Sequence, residues 1–234
     1  MKTAAYRLAI LAVRCAPALA WAGTAVFAVV LVMGLACSAP AKSGSSSTAP
    51  RPAVVDTALF AGGCFWSMEY GFEGRPGVID VTSGYSGGHT VNPTYDDVNT
   101  ETTGHMETVQ VIFDPRKISY EKLLDLYWHR IDPTQTDGQF CDHGSSYMSA
   151  IFWRNAAQRR AAEASKREMT ASNRLKAPIA TRVVEAGPFY RAEEYHQDFY
   201  KKSAAHYHAY SLGCGRDRKL DQLWGAKATH AVVD

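Results

Sequence analysis

Chemistry in this 234-residue chain begins with a thiol. Cys64 stands in the run Gly62-Gly63-Cys64-Phe65-Trp66, between an apolar stretch at 57–61 and a stretch of helical spacing at 65–73. Strand, paired glycines, cysteine, helix: that order puts the sulfur at a helix N-terminus. Unpaired backbone N–H groups and the helix dipole favour an anion there, a setting that lowers a cysteine pKa. The glycines permit a sharp turn and let a substrate approach the backbone. Position alone leaves a second reading open, because most free cysteines are small buried hydrophobes.

Two further cysteines, Cys141 and Cys214, share the domain, whereas Cys15 and Cys37 belong to a distinct leader. Three domain cysteines argue for at least one working thiol rather than a static disulfide framework. No Cys-x-x-Cys pair appears, so neither a zinc knuckle nor a thioredoxin-type site is written locally. An exported metal-binding module is the rival from another class, with His105, His143, His196, His206 and His208 joining the cysteines as ligands. None has a recognised ligand spacing, although His206 and His208 could chelate jointly on a strand or loop.

The elements that must position Cys64 follow from periodicity. Residues 57–61 read as a strand, and 65–73 as a helix with Phe65, Met68 and Phe72 on one face and Glu69 and Glu73 on the other. Residues 77–85 and 106–113 alternate like strands, Val109, Val111 and Phe113 facing one way. Ser119 opens a helix with Leu123, Leu124 and Tyr127 as its apolar face. A strand at 148–153, a long charged helix at 156–175, a strand at 181–185 and a helix at 193–205 complete the pattern. The order β-α-β-β-α-β-α-β predicts an α+β domain. Its mixed sheet with packed helices would form a ferredoxin-like (split βαβ) two-layer sandwich, ending in a long C-terminal coil.

The first 37 residues differ from the rest. Lys2, Arg7 and Arg14 precede an uncharged stretch at 15–36 that contains the apolar run 25–33, the pattern of an export signal. The stretch is also long enough to span a bilayer if uncut. Three fates compete: lipidation at Cys37 after Leu35-Ala36 (with Gly34 where Leu is usual), cleavage at Ala39-Pro40-Ala41, or retention as an anchor. Each places the domain outside the cytoplasmic membrane, in the periplasm, attached to the membrane through the N-terminal segment in the first and third cases. Residues 38–53, rich in Ser, Ala, Gly and Pro, read as a flexible linker, 54–228 as the catalytic domain and 229–234 as a tail. A composition of 46% hydrophobic and 21% charged residues is that of a globular domain. With a net charge of +2 and basic clusters only at Lys201-Lys202 and Arg216 to Lys219, nucleic acid is not an expected partner. A monomer is expected.

Gly63-Cys64-Phe65-Trp66 resembles the signature of the A-type peptide methionine sulfoxide reductases, and the similarity runs well past the tetrapeptide. Gly84-Tyr85-Ser86-Gly87-Gly88, Asn92-Pro93-Thr94-Tyr95 and Thr103-Gly104-His105-Met106-Glu107 follow in family order. Asp142-His143-Gly144-Ser145-Ser146-Tyr147, Glu194-Tyr195-His196-Gln197-Asp198 and Gly213-Cys214-Gly215-Arg216-Asp217 complete it. Such blocks in register are far more specific than a tetrapeptide alone.

The resemblance implies thiol-dependent reduction of peptide-bound, and also free, L-methionine (S)-S-oxide. The Cys64 thiolate attacks the sulfoxide sulfur, oxygen passes to Cys64 as a sulfenic acid, and methionine departs. Glu107 falls at the family's general acid, which must stay protonated near neutral pH and so needs an apolar pocket. Tyr95 and Tyr147 match tyrosines that hydrogen-bond the sulfoxide oxygen, and Asp142 a polar residue of the same site. Phe65 and Trp66 match the aromatic walls around the substrate methyl group. A greasy face and a polar face together select one epimer. A second thiol must then clear the sulfenic acid. Cys214 matches the family's resolving cysteine, in a Gly-Cys-Gly segment suited to a mobile loop. Cys141, next to Asp142, is the alternative, with a buried structural role otherwise. A thioredoxin-like dithiol would supply the electrons, since no cofactor motif is present. Two positions depart from the family pattern: Met148 follows Tyr147 where many relatives have Arg, and His143 stands where others carry Arg.

Overall fold

Residues 54–225 are described by the computed structural model, so the leader (1–37), the linker (38–53) and the tail (229–234) lie outside the described residues. Period-two alternation gives β1 (Asp56–Gly62) two buried faces. Ala58 and Phe60 enter the main core, while Leu59 and Ala61 enter a smaller cluster behind the sheet. The chain continues through α1 (Phe65–Phe72), β2 (Val78–Ser86), the short α2 (Tyr95–Asn99), β3 (Met106–Phe113) and α3 (Tyr120–Trp128). A two-stranded hairpin, β4 (Gly138–Gln139) and β5 (Asp142–His143), then leads through a single 3-10 turn (Ser145–Tyr147) into β6 (Ser149–Trp153). After it come α4 (Ala156–Ala171), β7 (Arg182–Glu185) and β8 (Phe189–Arg191).

The sheet order is β7-β6-β1-β3-β2-β8. Its middle, β6-β1-β3-β2, is antiparallel throughout, the split βαβ arrangement that the element order predicts. β7 adds parallel to β6 and β8 antiparallel to β2, which makes the sheet mixed. Helices α1 and α3 cover one face: Phe60 stacks on Phe72 at 5.2 Å and on Tyr127 at 5.0 Å between ring centroids. Burying each such ring stabilises the fold by about 1.5–3 kcal/mol. Tyr127 also donates its hydroxyl hydrogen to the Ala61 carbonyl at 2.9 Å, fixing α3 to the strand that delivers Cys64.

Some expectations shift. α4 ends at Ala171 rather than 175, because Asn173 turns into the left-handed region that a helix cannot continue through. The predicted helix at 193–205 is a run of turns as far as Asp198, itself left-handed, and only then a helix. The long C-terminal coil is also corrected: α5 (Phe199–Lys202), α6 (Ala204–Cys214) and α7 (Arg216–Trp224) fill it. In α7 the buried residues Arg216, Leu220 and Trp224 recur every fourth position, a narrow stripe that a highly polar composition conceals. Gly215, at φ +68°, forms the joint between α6 and α7.

Candidate active site

Gly63 sets the geometry. Its φ is +80°, and a Cβ there would meet the Gln139 Cβ at 2.5 Å, so only glycine fits. The chain then turns into α1 with Cys64 as the N-cap, its carbonyl accepting from the Ser67 and Met68 N–H groups. Glu107 lies at the start of β3 with the parity of Val109 and Val111, so it faces the helix side of the sheet. There its Oε2 accepts the Phe65 N–H at 2.8 Å. A carboxyl group therefore occupies a helix-terminal donor that a thiolate would otherwise use.

This arrangement reverses the electrostatics expected at Cys64. Cys64 is buried, and burial first, then the Glu107 charge, push its thiol up to about 12. The nearby Tyr210 hydroxyl and the Arg216 charge favour the thiolate without overcoming this. The helix terminus loses to desolvation, so the resting side chain is a thiol. Glu107 behaves as the resemblance requires. Burial raises it to about 8, against the opposing Phe65 hydrogen bond, and it holds a proton at neutral pH.

Each remaining side chain has its own bracket. Tyr95 opens α2, whose start is fixed by a reciprocal capping box between Thr94 and Asp97. Its N–H donates to Glu193 Oε1 at 2.8 Å, while Glu193 Oε2 accepts the Tyr85 hydroxyl at 2.9 Å. Tyr147 closes the 3-10 turn, which Glu101 pins by accepting from the Ser145 hydroxyl (2.6 Å) and from the N–H (2.9 Å) and hydroxyl (2.7 Å) of Ser146. Trp66 donates its indole N–H to His196 Nδ1 at 3.1 Å and stacks on Phe199 at 3.8 Å. Burial pushes His196 down to about 4, which leaves it a neutral acceptor. Phe65 packs against Tyr85 and His196.

Cys64, Phe65, Trp66, Tyr95, Glu107, Asp142 and Tyr147 converge on one cavity of about 120 Å³. That is room for about four waters at about 30 Å³ each, or for one small polar head group. All seven residues that the resemblance assigns to the reaction therefore meet. Tyr210 of α6 also lines the cavity, and its hydroxyl donates to Asp142 at 2.5 Å. Sequence reasoning missed it; its place one helical turn before Cys214 was the available signal. Glu101 and Glu193, which hold Tyr147 and Tyr95, were likewise not assigned, and His196, which holds Trp66, was named only within a family block and as a candidate metal ligand. A larger hollow of about 730 Å³ between α3 and α4 contains no thiol and none of these groups, so the chemistry belongs to the smaller cavity.

The two candidate resolving thiols are not alternatives in this structure. Cys141 and Cys214 form a disulfide, Cα to Cα 5.1 Å. Cys141 is exposed rather than buried, because it sits at the turn of the β4–β5 hairpin. Cys214 ends a helix instead of riding a loop. The histidines of the metal reading do not converge. His105 contacts Gly88 and Thr90, His143 pairs with Asp137, and His196 holds Trp66. Among the described residues, the metal-capable group within mutual reach is Cys141, Asp142 and Cys214, with no histidine.

Comparison with known proteins agrees with this geometry. Residues 56–228 match the family described as Peptide methionine sulfoxide reductase. The chain is 55% identical over 172 residues to peptide methionine sulfoxide reductase MsrA of Bacillus licheniformis, covering 74% of this chain and 95% of that protein. It is 54% identical over 172 residues to MsrA of Bacillus subtilis, covering 74% and 97%. Among solved structures it is similar to methionine sulfoxide reductase A of Corynebacterium diphtheriae, with TM-score 0.58, 30% identity, and 66% of this chain and 77% of that one covered. Reduced Mxr1 of Saccharomyces cerevisiae gives TM-score 0.61 at 28% identity, with 66% and 88% covered. A cysteine at a helix start, a buried protonated carboxyl and this extent of likeness place the chain in one group: it belongs to the peptide methionine sulfoxide reductase family of oxidoreductases.

Proposed function

We propose that this protein reduces L-methionine (S)-S-oxide, in peptides and as the free amino acid, to methionine. One observation carries the reading: a single small cavity joins the Cys64 sulfur to a neutral Glu107, with tyrosine hydroxyls on one side and the Phe65–Trp66 wall on the other. The aromatic wall takes the substrate methyl group, and Tyr95 and Tyr147 donate to the sulfoxide oxygen. Both phenols are pushed above their ordinary range, chiefly by burial, and so remain hydroxyl donors. Cys64 attacks the sulfoxide sulfur as a thiolate while Glu107 protonates the oxygen. The S–O bond breaks and the oxygen ends on Cys64 as a sulfenic acid. The cysteine sulfur is oxidised by two electrons and the methionine sulfur reduced by two.

The recycling step follows from the paired thiols. Cys214 attacks the sulfenic acid, forming a Cys64–Cys214 disulfide and water. Cys141 then attacks Cys214, which restores Cys64 and leaves Cys141–Cys214 as the oxidised product. The proximity of Cys141 and Cys214 supports this order, and the exposure of Cys141 suits attack by a thioredoxin-like dithiol. The reaction takes place outside the cytoplasmic membrane, a reading supported by the leader with Lys2, Arg7, Arg14 and the run 25–33. Lipidation at Cys37 is the anchoring mode we favour. Palmitate labelling of the wild type and of Cys37→Ala tests it: loss of label in the variant supports a lipoprotein, and equal labelling excludes it.

The catalytic reading is tested with the full chain, each epimer of a methionine sulfoxide peptide, and either dithiothreitol or thioredoxin. Wild type reduces the S-epimer, and Cys64→Ser does not. Cys214→Ser keeps single-turnover methionine release but loses thioredoxin-driven turnover. A wild type inert on the S-epimer contradicts the reading.

A further inference from the structure

The reaction needs a thiolate, but burial keeps the resting Cys64 a thiol. Glu107 cannot be the base, because its proton is reserved for the sulfoxide oxygen. Asp142 is the other carboxyl lining the cavity, and Tyr210 links it to the nucleophile. The Tyr210 hydroxyl donates to Asp142 Oδ2 at 2.5 Å and shares the cavity with the Cys64 sulfur, whose proton affinity it lowers. The ring is held independently of its oxygen, edge-on to Trp66 at 5.9 Å and against Tyr207 at 6.5 Å.

We propose that Tyr210 is a catalytic residue that conveys the Cys64 proton to Asp142. The inference rests on the sulfoxide reduction proposed above. The Cys64 S–H gives its proton to the Tyr210 oxygen as the Tyr210 O–H gives its own to Asp142 Oδ2. Cys64 becomes a thiolate, Tyr210 stays neutral and Asp142 becomes a carboxylic acid; no electrons move. Burial, followed by the Cys64 and Asp142 charges, pushes the Tyr210 phenol far above its ordinary range, so it relays a proton without ionising. Asp142 suits the receiving role. Burial raises its proton affinity, while Tyr210, Arg216 and His143 favour its charged form at rest. The charged and titratable groups facing Cys64 come from six elements: Tyr95 of α2, Glu107 of β3, Asp142 of β5, Tyr147 of the 3-10 turn, Tyr207 and Tyr210 of α6, and Arg216 of α7. After oxygen transfer, Asp142 releases its proton and Glu107 takes one up, which closes the cycle.

The relay has a pH signature. Moving a proton within the site leaves the total proton count unchanged, so the attacking form needs no loss of a proton to solvent. Single-turnover methionine release by the reduced full chain is measured from pH 6 to 10, on an S-sulfoxide peptide. The wild-type rate should be flat up to about pH 8 and then fall tenfold per pH unit as Glu107 ionises. Tyr210→Phe should be slower at pH 7, on the order of 100-fold. Its rate should instead climb tenfold per unit up to about pH 8, because its thiolate must now come from equilibrium with solvent. Asp142→Asn should behave alike, and the double variant should be no slower than either single one, as for groups that act as a unit. Three results overturn the relay: a Tyr210→Phe profile as flat as wild type, a uniform slowing with unchanged slope, or losses that multiply in the double variant. A wild type that releases no methionine would defeat the parent reading instead.

Discussion

Replacing Glu107 with Gln removes an acid while preserving the side chain's shape and an oxygen able to accept the Phe65 N–H. The carboxyl is raised from 4.5 to about 8. At pH 7 about 90% of the groups therefore carry a proton, whereas at the ordinary value about 0.3% would, a difference of about 300-fold in available acid. The amide has no proton to give. Loss of a positioned general acid costs about 100- to 10,000-fold, so methionine release in Glu107→Gln should slow by that range at pH 7. Quenched-flow detection of methionine across pH 6 to 10 is the assay. The wild type breaks downward near pH 8, and the variant shows no break there. Above about pH 8, where Glu107 is ionised in the wild type, Cys64 of the variant should also be easier to alkylate with iodoacetamide, since the Glu107 charge is the second-largest influence raising its pKa. A break that persists near pH 8 in Glu107→Gln, or an undiminished rate, would refute the assignment.

Glu107 also sets a stability trend. Its folded pKa lies above the unfolded value, so its stabilising effect is complete below pH 4.5 and lost as pH rises through about 8. Relative to wild type, Glu107→Gln should gain stability across that window, by at most about 5 kcal/mol, in urea melts at pH 4 and pH 9. Gly63→Ala forces a left-handed residue and a clash with Gln139 at 2.5 Å. It should lower stability by about 2–4 kcal/mol in thermal melts and slow methionine release, because the cysteine it misplaces is the proposed nucleophile. Glu101→Ala releases the turn that carries Tyr147. It should reduce kcat/KM by about 10-fold, with less than about 1.5 kcal/mol lost in stability; unchanged kinetics would show that the turn holds Tyr147 without it.

Much of the site was legible because the family blocks are contiguous and strand parity is simple. Cys64, Phe65 and Trp66 fall on one helix start, and Glu107 shares the parity of Val109. Tyr95, Asp142 and Tyr147 could be named only through their blocks, since a one-turn helix, a two-residue strand and a 3-10 turn are too short for periodicity. Tyr210 was hidden because α6 has no buried apolar stripe to announce it. The nucleophile's proton affinity was misjudged for a different reason. Spacing reveals a helix terminus but not the depth of burial, nor that Glu107 already occupies the Phe65 N–H. The pairing of Cys141 with Cys214, across a separation of 73 residues, depends on how α6 returns to the β4–β5 hairpin, which no local pattern records.

The central claim is that Cys64 takes the oxygen of an S-sulfoxide. The most direct measurement uses a Cys141→Ser/Cys214→Ser variant, in which the sulfenic acid has no partner thiol. The reduced variant is mixed with a peptide containing both sulfoxide epimers, and the adduct is trapped with dimedone for mass spectrometry. The account predicts one methionine released per chain, loss of the S-epimer alone, and dimedone on Cys64. Loss of the R-epimer instead, or methionine release with Cys64 unmodified, would contradict it.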